Sequence, residues 1–456
     1  MIVTLTQEER QLLFEFIAEK HDTPVVNERI SMAERQSFVT LPEKVNMDDI
    51  HPDLLALTAI LMVYPFSKSL QLPFGVSEQF AHIYRDLFKK NVGPIDAGLK
   101  PRKSTESSSP GIAYSGGVDS SAALALLPHN TKAFFLDRPV KRNSLYSSEA
   151  AHFACKEIAK LGYTVHVIGT DLEYLRKPDG FPVDWSTAVP AVILADHEDL
   201  DSVAFGTILE SAYGIGKGRF QELREKVIYW KWMELFSAVD LPLNLVTAGV
   251  SEVGTQIITQ KVGFSLFAQS CIRGSIGEPC KNCWKCFRKG LCELALQRND
   301  PSEDEVEKLF CIKDAQNNLR NVPIKHENVL TYATAYYSGN DDTMRALQKR
   351  VRGDKKEVGW MEKWYPAAIE YTIPKYREVV AENARHILGE MTDDDIQALV
   401  GWDLLDVVDS DSYQEACNNL NKSIESRFPE PSDRTNKKVS LIRRIARKLH
   451  TSVTRR

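Results

Sequence analysis

Cysteine is scarce in this sequence and unevenly placed. Of eight cysteines in 456 residues, Cys271, Cys280, Cys283, Cys286 and Cys292 crowd into one short segment, while Cys155, Cys311 and Cys417 stand alone. That distribution excludes a small secreted scaffold held by disulfides and points to a metal site. Long hydrophobic runs are missing as well. The best, LLALTAILMVYPF at 54–66, is too short to span a membrane and is closed by Pro65; it is expected to be a buried helix. The first residues, MIVTLTQEERQ, lack the apolar centre of an export signal, so a cytoplasmic location is expected. The net charge of −5 provides no general attraction to nucleic acid. Two common phosphate-binding signatures are absent: there is no G-x-x-x-x-G-K-[ST] and no G-x-G-x-x-G. GIGKG at 214–218 has no strand before it. No N-terminal cysteine is present to act as a glutaminase nucleophile, and Cys155 sits mid-helix, where core packing is the expected role.

What is there is the composition of a soluble globular chain, 43% hydrophobic and 26% charged, long enough for several cores. Residues 1–105 are expected to form an α+β extension. TQEERQLLFEFIAEK at 6–20 has helical apolar spacing with Thr6 as cap, ERQSFVTLPEKV at 34–45 suggests a strand, and helices are expected near 52–64 and 76–90. GLKPRKSTESSSPG at 98–111 reads as a linker. From 106 to 300 short apolar runs alternate with helical patterns: TKAFFLD at 131–137, TVHVIGTD at 164–171 and DSVAFGT at 201–207 are strands, with amphipathic segments between them. Such alternation predicts an α/β fold, a doubly wound parallel sheet with right-handed crossovers. Residues 301–430 read as a helical C-terminal region, and 431–456 as a basic amphipathic tail with Leu441, Ile442, Ile445 and Leu449 on one face. That tail is suited to a protein partner, an anionic membrane surface or a nucleic acid, or is simply solvated.

Two segments carry chemistry. The first is GIAYSGGVDSSAALALLP at 111–128, where Ser115, Gly116, Gly117, Val118, Asp119, Ser120 and Ser121 lie between a predicted strand and a predicted helix. Glycines allow main-chain N–H groups to turn inward. The following helix N-terminus and the hydroxyls complete a pocket for phosphate. The second is the run from Cys271 to Cys286, C-x8-C-x2-C-x2-C. Two-residue spacings let thiolates close on one tetrahedral ion. Structural Zn²⁺ is the leading reading, an iron–sulfur cluster its rival, and Cys292 is a spare ligand.

The loop Ser115-Gly116-Gly117-Val118-Asp119-Ser120 resembles the S-G-G-x-D-S loop of the ATP pyrophosphatase (PP-loop) superfamily of adenine nucleotide alpha hydrolase-like proteins. Within it, QSCIRG and PCKNCWKCFRKG look like the cysteine segment of 7-cyano-7-deazaguanine synthases. The match covers roughly 111–292. It implies that Ser115, Gly116, Gly117, Val118, Ser120 and Ser121 grip the outer phosphates of ATP, that Asp119 positions them or their Mg²⁺, and that Asp137 meets the adenosine. Ser115, Asp119 and Ser120 are the implied catalytic residues. The acceptor half departs from the family: its Val-Pro-Gly-Arg-Asn is only hinted at by Ala188-Val189-Pro190-Ala191, and its Gly-x-x-x-x-Asp is here Gly206 to Glu210.

The implied reaction is adenylation of a carboxylate, on a small molecule or a modified base, followed by attack of nitrogen to give an amide or nitrile. Candidate acceptor-side residues are Arg142, Thr207, Glu210, Glu252, Arg273 and Arg288. Two alternatives stay open: a tRNA-thiolation-type adenylating enzyme, and a non-catalytic nucleotide- and zinc-binding scaffold.

Overall fold

The structure, a computed structural model, describes residues 1–141 and 144–429. Arg142 and the basic tail at 431–456 lie outside the described residues. The chain forms two compact units: Met1–Lys281 with Glu357–Leu404, and Asn282–Lys356 with the described residues from Leu405 onward.

The first unit opens with a hairpin where a helix was expected. β1 (Ile2–Glu8) and β2 (Gln11–Ile17) pair antiparallel, with Glu8 opposite Gln11 and Glu9 taking up the turn at φ 52°. In β2, Leu12, Phe14 and Phe16 are buried while Glu15 and Ile17 face out. The working period is therefore 2, and Leu13 and Ile17, which suggested helical spacing, belong to the other face. β3 (Gln36–Thr40) pairs with β2, and β4 (Ser69–Val76) and β5 (Asn91–Ile95) extend the sheet on the β1 side. The order is β3-β2-β1-β4-β5. Helix α1 (Pro52–Val63) is buried from Asp53 onward, as expected for 54–66, and Asp53 in its first turn accepts the Ser77 main-chain N–H and hydroxyl at 2.8 and 2.6 Å. Ser77 in turn caps α2 (Glu78–Phe88).

The second sheet positions the candidate site. β6 (Ser109–Ala113), β7 (Lys132–Asp137), β8 (Thr164–Gly169), β9 (Leu200–Ala204) and β10 (Leu243–Asn244) are all parallel, in the order β8-β7-β6-β9-β10. Every residue of β6 and β9 is buried, which is why these strands read as continuous apolar or small-residue runs rather than alternations. α3 (Val118–Leu126) and α4 (Glu149–Lys160) contribute to one core with Ile112, Ala133, Phe135 and Ala204. On the other side α5 (Val189–Ile193) packs on β6 and β7 and against α1. The strand order reverses between β6 and β9, the place in such sheets where a crevice opens at the carboxyl ends.

Residues 357–404 return to this unit. Trp364, Tyr376, Val380 and Ala384 join the core beside α3 and α6 (Glu252–Lys261). Lys375 Nζ and Tyr376 Oη each reach Asp201 Oδ2 at 2.7 Å.

The second unit is helical. α7 (Trp284–Leu296) packs against the helix Glu327–Ala335, and the helix Asp342–Arg350 packs against Asp411–Arg427. At its centre the fully buried Arg350 and Glu327 pair at 3.2 Å, and Tyr413 Oη donates to Glu327 Oε2 at 2.9 Å. A buried carboxylate is tolerable only with such partners. Among the described residues, no helix is long and apolar enough to cross a membrane.

Candidate functional site

β6 ends at Ala113, and the chain turns through Ser115, Gly116 and Gly117 into α3. Gly116 sits at φ +70°, and a Cβ there would come within 2.9 Å of Ala151 Cα on α4. Both conditions require glycine. Gly117 is the N-cap of α3 and supplies no side-chain cap. The first turn of a helix leaves its leading N–H groups without i→i−4 acceptors; here the first such bond is Ser121 N–H to Gly117 O at 3.0 Å. The hydroxyls brace the turn. Ser120 Oγ donates to Gly117 O at 3.1 Å and lies 3.0 Å from Ser115 Oγ, while Ser115 N–H donates to Ser120 Oγ at 3.2 Å. Ser121 is buried, 3.1 Å from Tyr114 Oη. Ser115 is exposed, and Gly117, Val118 and Asp119 are half-buried. The loop is thus open to solvent at its mouth and rigid at its base.

The loop after β9 lies against the start of α3. A Cβ on Gly206 would fall 2.6 Å from the Asp119 carbonyl carbon and 2.7 Å from Ser120 N. Main chain therefore touches main chain here. Thr207, the next residue, is half-buried and its carbonyl accepts the Thr247 hydroxyl at 3.0 Å. From α6, Thr255 Oγ1 donates to Asp119 Oδ1 at 2.9 Å. One turn earlier, the main-chain N–H of Glu252 meets both carboxylate oxygens of Glu210, at 3.1 and 3.0 Å. Glu210 thereby supports the N-terminus of α6, where the helix dipole favours an acid. Asp119, Glu210 and Glu252 are thus gathered around α6, the two glutamates fully buried.

Asp137 closes β7, and its Oδ1 lies 2.9 Å from His152 Nε2 on α4, the helix that abuts Gly116. Beside it, the Arg138 guanidinium pairs with Glu173 and stacks over Tyr146 at 3.6 Å. Of the remaining acceptor-side candidates, Arg142 lies outside the described residues. Arg273 is exposed in the loop between Cys271 and Cys280. Arg288 is buried on α7, 5.8 Å from the Trp284 ring.

The sulfurs of Cys271, Cys280, Cys283 and Cys286 all lie within 4.8 Å of one another. Four thiolates around one zinc ion at about 2.3 Å sit roughly 3.8 Å apart, so these residues fit a tetrahedral metal ion such as zinc. A tight turn brings the outer pair together: Ser275 and Glu278 form a bridge, Gly277 takes φ +70°, and Cys280 N–H donates to Cys271 Sγ at 3.4 Å. Cys283 is the N-cap of α7 and Cys286 lies in its first turn, with the two sulfurs 3.5 Å apart. Asp314 Oδ2 accepts the Trp284 N–H at 2.8 Å and holds that turn. Cys292 is buried further along α7 and is not in the group. No disulfide forms among the described cysteines. Burial, with Asp137 nearby, pushes the Cys155 thiol up to about 12, which suits a core residue and not a nucleophile.

Thr255, His152 and Asp314 carry no motif in the sequence. Thr255 had a usable signal, since it stands three residues after Glu252 on one helix face. The others are set by long-range packing.

A family model described as a family of unknown function (DUF6395) matches residues 231–403, a segment that holds the four cysteines and α6 but not the glycine loop. No curated protein and no solved structure matches the chain.

Proposed function

We propose that this protein is an ATP-dependent ligase of the ATP pyrophosphatase type, which adenylates a carboxylate and passes the acyl group to a nitrogen nucleophile. The observation that carries the reading is the Ser115–Ser121 loop: it leads into a helix with no side-chain cap, at the carboxyl end of β6, where the strand order of a parallel sheet reverses. Main-chain N–H groups of that turn, with the Ser115 and Ser120 hydroxyls, would receive the two outer phosphates. A carboxylate oxygen of the acceptor attacks the α-phosphorus, the bond to the bridging oxygen breaks, and pyrophosphate leaves with the electron pair. The nitrogen nucleophile then displaces AMP from the acyl-adenylate and loses its proton. The chain's part is alignment and charge stabilisation.

Asp119, steadied by Thr255, is the loop carboxylate that would hold Mg²⁺. When bound, Mg²⁺ neutralises charge on the departing group. Asp137 is assigned to the adenosine. Thr207 is placed on the acceptor side, Glu210 and Glu252 support it from the buried start of α6, and Arg142 and Arg273 are the cationic candidates for the acceptor carboxylate. The four cysteines serve as a structural zinc site.

The test is AMP and pyrophosphate release from Mg-ATP across a panel of small carboxylates, with ammonia or an amine present, in the parent and in Asp119→Ala. The reading expects AMP with at least one carboxylate and a loss of about 10²–10³-fold in the variant. Equal AMP formation by both proteins would falsify the assignment of the loop. Failure to bind ATP at all would leave a metal-binding scaffold.

A further inference from the structure

The glycine loop and the first metal-site cysteine are joined by a four-residue strap, 269–272. The main-chain N–H of Gln269 donates to Gly116 O at 3.0 Å, and its carbonyl oxygen lies 4.0 Å from where a Gly117 Cβ would stand. The Gln269 side chain turns the other way: Nε2 donates to Cys271 O at 3.1 Å. At the far end, Ile272 O accepts the Ser147 N–H at 2.9 Å. Ser147 stands two residues before α4, the helix whose Ala151 crowds Gly116. The strap therefore grips the phosphate loop directly and, through α4, from behind. Beyond it Gly274 is buried against the main chain of Glu278, and the chain then runs through an exposed turn, 275–278, before reaching Cys280. Exposed turns of this kind open at little cost, whereas a bound metal fixes the thiolates that ligate it.

We infer that Gln269 is a positioning residue, and that metal held by the cysteine group sets the strap and hence the phosphate loop, so that metal occupancy and nucleotide binding are thermodynamically linked. The inference rests on the ligase reading above and adds to it a means by which loss of metal weakens nucleotide binding. Linkage is reciprocal: whatever factor the metal contributes to nucleotide affinity, the nucleotide returns to metal retention.

The test uses the full chain loaded with zinc. Calorimetry measures Mg-ATP and Mg-pyrophosphate binding with zinc present and after its removal, and a colorimetric chelator follows zinc release with and without those ligands. Hydrogen exchange in the β1–β2 hairpin checks that the stripped protein stays folded. Affinity is expected to fall roughly tenfold without zinc, and zinc release to slow by a similar factor with ligand bound. Gln269→Pro, which lacks the N–H that reaches Gly116, is expected to bind zinc and show neither effect; Gln269→Ala, which loses only the amide bond to Cys271 O, is expected to reduce both. Equal nucleotide affinity in the zinc-loaded and stripped parent overturns the linkage and leaves the ligase reading standing. No binding in either state overturns both.

Discussion

The Thr255 hydroxyl lies 2.9 Å from Asp119 Oδ1, across 136 residues of sequence, and has the Glu252 carbonyl oxygen 3.0 Å on its other side. It is fully buried, so it cannot trade that carboxylate for water. Thr255→Val keeps the shape and removes the donor. Loss of a hydrogen bond worth about 1 kcal/mol should slow AMP formation roughly five- to tenfold, against about 10²–10³-fold for Asp119→Ala. Steady-state AMP release by the two variants, with far-UV circular dichroism as a check on folding, decides it. An unaltered rate in Thr255→Val shows that Asp119 needs no such support.

Gly206 predicts a stability effect of a different origin. The atoms its missing Cβ would strike, at 2.6 and 2.7 Å, are main chain of Asp119 and Ser120. Main chain cannot rotate away as a side chain can. Gly206→Ala should cost about 1–3 kcal/mol in urea unfolding and weaken nucleotide binding with it. Gly359→Ala, with nothing within 4 Å of the new methyl, is the control and should stay near the parent. Equal midpoints for the two variants contradict the close approach of the two loops.

The parallel sheet was readable because its strands are short apolar runs set between amphipathic helices, and those patterns are local. The cysteine group was readable because three ligands lie within seven residues. The β1–β2 hairpin was misread because Leu12, Leu13, Phe16 and Ile17 match helical spacing as well as they match a two-sided strand; what decides it is that Leu12, Phe14 and Phe16 share one buried face against β1 and β3. The return of 357–404 had no local signal at all. Its anchors, Trp364 against the Gly249 main chain and Lys375 and Tyr376 on Asp201, join residues more than a hundred positions apart. The contact between the Glu210 carboxylate and the first turn of α6 spans 42 residues and has no local signal either.

Glu198 gives the fold an acid limb. It sits in the turn before β9 with His166 Nε2 at 3.3 Å and Lys132 Nζ at 3.1 Å, and the hydrogen bond from His166, then that from Lys132, holds its carboxyl at about 2 against the ordinary 4.5. A depressed folded-state value means that the unfolded chain takes up the proton first. The contribution is complete above pH 4.5 and drains away as the pH falls from 4.5 toward 2. Urea midpoints measured across that window should fall less steeply for Glu198→Gln than for the parent, and the two proteins should be closest at the acid end. Parallel profiles contradict the pairing.

The cysteine group predicts both a stoichiometry and a colour. Four sulfurs within 4.8 Å of one another fit one ion, so the purified chain should carry about one equivalent of zinc by elemental analysis and show no visible absorbance; iron with a visible band favours the cluster instead. Cys283→Ser removes the ligand that also caps α7, and two consequences should separate. Metal content should fall well below one equivalent, because three thiolates hold the ion far less tightly than four. The first turn of α7 should survive in part, because Asp314 still accepts the Trp284 N–H and serine is itself a good N-cap. Cys292→Ser, on the same helix but outside the group, should keep its zinc. Full occupancy in Cys283→Ser together with loss in Cys292→Ser would move the site from the upstream thiols onto α7 and remove the link from Cys271 to the glycine loop.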